Sequence, residues 1–150
     1  MPPLVRRYIK TSFAFLILGL LTGLHVSAVE YMGWGPMRQG YIPAHAHMIL
    51  VGFLLMLILG VALWMFPKAA EGDPRWKPWR FELVYWLFVV GVVGRSTGEI
   101  VREYSLARGW SVLVFVASCV EVLAVFVWVI SMLPRIRSPR EELQKSGGRP

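Results

Sequence analysis

Three histidines, one arginine and two glutamates stand at least two residues inside the apolar runs of this 150-residue chain, where ionisable and imidazole groups are costly and normally face a partner. His25 lies late in the first run, His45 and His47 early in the second, Arg95 and Glu99 late in the third, and Glu121 in the middle of the fourth. Neutral imidazole is the commonest protein metal ligand, and Met32, Met37 and Met48 add thioethers suited to Cu(I). The same residues also allow a purely structural reading: histidines that hydrogen-bond across helices, Arg95 paired with Glu99 one turn on, and Glu121 a neutral, hydrogen-bonded carboxyl or part of a proton path. Two residues on a helix are ~200° apart, so His45 and His47 cannot bind one metal from one face. On a regular α-helix His45 shares its face with Ile49, Gly52 and Met56, with Gly60 some ~60° round; His47 heads a stripe of Val51, Leu54 and Ile58.

The elements that must position these groups are membrane spans. Hydrophobic residues make up 56% of the chain, too many for an ordinary soluble domain. A span needs about 20 mostly apolar residues, and residues 12–29, 43–66, 81–101 and 110–133 each supply one. The fold class expected is an all-α integral membrane protein, a four-helix transmembrane bundle over residues 1–134 with a polar tail at 135–150. Pro43 suits a helix start, Pro67 and Pro134 follow helix ends, and Tyr31, Trp34, Tyr41, Trp76, Trp79 and Trp110 fall near span ends, as interfacial aromatics do. Arg6, Arg7 and Lys10 before the first run, with Val26-Ser27-Ala28 near its end, loosely resemble a signal peptide; the segment is expected to remain as a helix of the mature protein. Cys119, the only cysteine, allows no intrachain disulfide and is expected as a buried thiol.

The net charge of +7 does not point to nucleic acid, because the cations sit in short blocks beside the apolar runs. Twelve of the sixteen Lys and Arg residues fall before span one, between spans two and three, or after span four; Arg38, Arg95, Arg102 and Arg108 lie on or near the other side. The positive-inside rule then places both termini in the cytoplasm of a multi-pass protein of the cell membrane. With that alternation of direction, His25, His45, His47, Arg95 and Glu99 all come to one end of the bundle. Glycines at 52 and 60 would leave a shallow wall beside His45 for a flat macrocycle. Equally, they and Gly19, Gly23, Gly91, Gly94 and Gly98 suit close helix packing, within the bundle or between copies of a homo-oligomer.

The stretch Ala44–Pro67, AHAHMILVGFLLMLILGVALWMFP, resembles the second helix of haem–copper oxidase subunit I and of the nitric oxide reductase large subunit. It is closer still to small four-helix subunit-I-like proteins, through His45-Ala46-His47, Gly52-Phe53, Gly60 and Phe66-Pro67. The resemblance covers some two dozen residues. It implies haem b as cofactor, with His45 as axial ligand in the place of the family's low-spin haem histidine. Depth makes His25 the natural second ligand, with a neighbouring protomer's histidine or an open position as alternatives, and His47 as a supporting residue or substitute ligand. Arg95, and next Arg102, are placed to pair with the haem propionates. Arg102, Glu103 and Arg108 fit a solvated interfacial cluster equally. No histidine follows His47, so the ligands of an oxygen-reducing binuclear centre are missing. The expectation is a haem protein in electron transfer or in binding or sensing of a gas such as NO or O2, with a possible respiratory-chain redox partner, rather than a complete oxidase or other enzyme. The alternatives are a copper-binding membrane protein and a non-catalytic assembly partner of a respiratory complex.

Overall fold

The computed structural model describes residues 1–66 and 77–136, and these are organised by four helices: α1 (Pro3–Met32), α2 (Tyr41–Met65), α3 (Trp79–Val101) and α4 (Arg108–Met132). Each is long and apolar enough to cross a membrane, and side chains such as Leu21, Leu24, Leu50, Ile58, Phe115 and Phe126 are exposed on the outside, as lipid-facing residues are. Lys68, Arg75 and residues 137–150, on which part of the charge count rests, lie outside the described residues, as do Pro67 and Trp76.

Helix α1 begins well before the apolar run at Ser12. Its 30 residues amount to about 45 Å, longer than the ~30 Å hydrocarbon core, so hydropathy marks only the part that needs lipid. It stops where Gly33 takes a left-handed conformation (φ 68°) and donates its N–H to the Ala28 carbonyl, an end that glycine alone adopts without strain. Gly40 is needed for a different reason: a Cβ there would collide with the Glu99 carbonyl oxygen of α3.

The helices form two antiparallel hairpins. In the first, α1 and α2 meet through glycine notches: Gly60 receives Tyr8, Gly52 receives Phe15, Gly19 receives Ile49 and Gly23 receives the His45 ring. In the second, Gly91 receives Glu121, Gly94 faces Ala117 and Gly98 receives Val114. The glycine seams therefore all work inside one chain. At the end of the bundle that holds the start of α1, the hairpins are tied by Tyr8 Oη to the Phe81 carbonyl (2.8 Å), Thr11 with Tyr85 (2.9 Å) and the exposed Arg7–Glu82 pair. At the other end, formed by residues 33–40 and 102–107 and here called the connector end, Arg38 donates to the Glu103 carbonyl and lies over the Tyr104 ring, while Gly40 N–H donates to the Glu103 carboxylate. Between them is an apolar core of Phe15, Met48, Met56, Leu59, Val84, Phe88 and Val92.

Helix α2 is not uniform. Met48–Leu55 is π-helical, an underwound form that is rare and often found at functional sites. Its consequence is visible in the faces. Ile49, Gly52 and Gly60 all meet α1, so Gly60 is carried onto the His45 side. The stripe expected under His47 comes apart: Leu54 and Ile58 are exposed although His47 points inward.

The end of α2 is held by Arg135, in the 3-10 turn Leu133–Arg135 after α4. Its guanidinium donates to the carbonyls of Leu63 and Phe66, covering acceptors that a helix C-terminus leaves open. Arg135 is buried rather than part of a solvated tail, and burial pushes its pKa below the usual arginine value.

Candidate functional site

The two histidines of the His45-Ala46-His47 motif sit on regular α-helix just before the π-helical segment, and the half-turn between them sends them to different helices. His45 lies against α1. Its Nδ1 is 2.7 Å from the Gly19 carbonyl oxygen. A carbonyl only accepts, so Nδ1 carries the hydrogen and donates it, and Nε2 is left as the atom with the lone pair. Gly23 makes this approach feasible: a Cβ there would stand 2.6 Å from the ring Cε1. The ring is half-buried, and Nε2 has no hydrogen-bond partner among the described residues.

His47 faces the opposite way, into a network carried by α3 and α4. Its Nε2 shares a hydrogen bond with Glu121 Oε2 at 2.7 Å, with both side chains largely buried. Arg95 stands 3.9 Å from the same carboxylate oxygen, donates from Nε to Glu99 Oε1 (3.0 Å) and from Nη1 to Ser118 Oγ (3.0 Å). Ser118 in turn donates to the Val114 carbonyl. Gly91 leaves the notch through which Glu121 reaches across, since a Cβ there would lie 2.6 Å from Glu121 Cγ. Three atoms of this region are buried without a partner: Ser96 Oγ, Glu99 Oε2 and Glu121 Oε1.

His25 joins neither group. It is exposed on α1, with its ring centroid 4.8 Å from that of Tyr41, whose hydroxyl is shared with Tyr104 (2.8 Å). The three histidines thus gather at one end of the bundle but face three different sets of neighbours. No three His, Cys, Asp or Glu side chains come together as a metal site among the described residues. Cys119 is exposed rather than buried, because the face of α4 that packs on α3 is the one carrying Val114, Ala117 and Glu121.

The sequence expectation for haem meets this geometry unevenly. The donor chemistry suits an iron: His45 presents an imidazole with its tautomer fixed by a backbone carbonyl, as ligand histidines do. The wall expected beside it is occupied, since Phe15 fills the space at Gly52 and Tyr8 that at Gly60. Arg95 has Glu99 and Ser118 as partners and stands with His47, not with His45. Arg102 is exposed where α3 ends. The pairing of Glu121 with His47 was not anticipated; Gly91, a small residue that a mid-span carboxyl could reach past, was its one signal. Family models, characterised proteins and solved structures return no match to this chain.

Proposed function

We propose that this chain is a haem b-binding membrane protein serving electron transfer, or the binding or sensing of a diatomic gas, with Nε2 of His45 as an axial ligand. The observation that carries the reading is the Nδ1–H donated by His45 to the Gly19 carbonyl. It fixes the tautomer, orients the ring and leaves Nε2 for a metal. The second axial place would go to His25, to a neighbouring protomer's histidine or to no protein ligand: His25 is exposed beside Tyr41, apart from His45, and His47 has its Nε2 on Glu121. Haem iron held by imidazole would supply one-electron chemistry or a gas-binding position, depending on whether both axial places are filled. The resemblance of Ala44–Pro67 to the second helix of the oxidase family supports the same residue, and the absence of any histidine beyond His47 keeps the proposal short of an oxidase.

The cation distribution supports a cell-membrane protein with both termini in the cytoplasm. Because the glycine seams are used within the chain, a homo-oligomer would have to assemble through other surfaces.

The test is the visible spectrum of protein purified after haem-replete expression, oxidised and reduced, with metal analysis. A Soret band and a reduced α band are expected. Colourless protein that retains copper would put the copper reading first, and colourless protein without metal would leave the role of an assembly partner.

A further inference from the structure

We infer that the connector end of the bundle opens into a water-filled half-channel that descends between α2, α3 and α4 as far as the His47–Glu121 pair and stops there. This inference is independent of haem. It starts from four side chains that lie within membrane-spanning helices and cannot be left to hydrocarbon. Arg95 is about 9 Å from the end of α3, six residues at 1.5 Å each, and its side chain is still 29% exposed. An exposed guanidinium at that depth faces water or another polar group, because contact with lipid tails is costly. Beside it, Ser96 Oγ, Glu99 Oε2 and Glu121 Oε1 are buried without a protein partner, each in a residue at most 6% exposed. Buried polar atoms of this kind are normally satisfied by internal water.

The four groups are arranged in depth. Glu99 is nearest the connector end, one turn below Glu103, which binds Gly40 and Arg38 there; Arg95 and Ser96 come next, and Glu121 lies level with Gly91, near the middle of α3. Below Glu121 the core is closed toward the terminal end by a plug of Phe88, Val84 and Met56, all at 0% exposure; the polar groups in that half include Trp128 Nε1, buried without a partner, and Thr11 and Tyr85, which bond each other. Water can therefore reach His47 and Glu121 from one face of the membrane and not from the other.

The probe is a small cationic methanethiosulfonate applied separately to each side of sealed vesicles, on full-length protein in which Cys119→Ser removes the native thiol. Gln39→Cys and Lys77→Cys, exposed at opposite ends, report which side is which. Ser96→Cys is expected to react from the Gln39 side only, and Val84→Cys, about three turns deeper in the plug beyond Glu121, from neither. Protection of Ser96→Cys on both sides, its reaction from the Lys77 side, or reaction of Val84→Cys as fast as Ser96→Cys would each overturn the half-channel. Should Ser96→Cys fail to purify as a monodisperse species, Ser118→Cys lies on the facing helix with the same expectation and the same overturning results.

Discussion

On one side of α2, His45 meets a wall of backbone and glycine; on the other, His47 meets a glutamate that is linked to arginine and serine side chains. The α1-facing side offers His45 a single acceptor, the Gly19 carbonyl, and the open face of Gly23, with Phe15 and Tyr8 packed further along the seam at Gly52 and Gly60. The α4-facing side engages His47 in a chain that runs through Glu121 to Arg95, Glu99 and Ser118. The difference shows that two identical residues two positions apart take different chemistry from what the helix phase sets opposite them. A backbone acceptor on Nδ1 leaves Nε2 of an imidazole available, whereas a carboxyl group bonded to Nε2 occupies the atom a metal would need.

Several substitutions separate the two sides. The largest effect is expected on the polar side. Arg95→Ala leaves Glu99 and Glu121 without their cation, and removing a partner from buried polar groups costs about 1–3 kcal/mol, more where they are charged; thermal unfolding in mild detergent should show it, and an unchanged midpoint would mean that Arg95 does not hold the network together. On the glycine side, Gly52→Leu must displace Phe15, whose Cγ would lie 2.7 Å from the new Cβ. Overpacking of this kind costs about 1–3 kcal/mol, and no loss would show that the α1–α2 seam is looser than described. Gly23→Ala is milder in volume but aimed at the ring of His45 (2.6 Å to Cε1). It should weaken haem retention while leaving the His47 network intact, an outcome that equal haem content in wild type and variant would contradict. The smallest effect is expected for Tyr41→Phe, which removes the bond to Tyr104. Hydrogen bonds between membrane helices average about 0.6 kcal/mol, so a shift in the unfolding midpoint comparable with that of Arg95→Ala would assign the tyrosine pair a larger role than one bond.

The sequence shows part of this plainly. Four apolar runs give four helices, and the half-turn spacing of His45 and His47 appears as two hydrogen bonds to different helices. The pairing of Arg95 with Glu99 follows from their one-turn separation. What the sequence hides has physical causes. Met48–Leu55 reads MILVGFLL, uniformly apolar, so no polar residue marks its π-helical winding, and the faces of Leu54, Ile58 and Gly60 shift without a sign in the sequence. The bond between His47 and Glu121 joins residues 74 positions apart, a separation at which periodicity says nothing about pairing. Glycine spacing revealed close packing at Gly19, Gly23 and Gly91 but not which partner would fill each notch. Arg135, in a basic segment that reads as solvated tail, is instead drawn onto the end of α2 by its open carbonyls.

The division of labour between the two histidines is tested most directly by comparing the reduced and oxidised visible spectra of His45→Ala and His47→Ala, expressed with haem in excess. The expected result is loss of the Soret band in His45→Ala and its retention in His47→Ala, with any change confined to a shift of potential. Retention of an unchanged haem spectrum in His45→Ala together with its loss in His47→Ala would contradict the assignment and make the side of α2 that faces Glu121 the one that binds the metal.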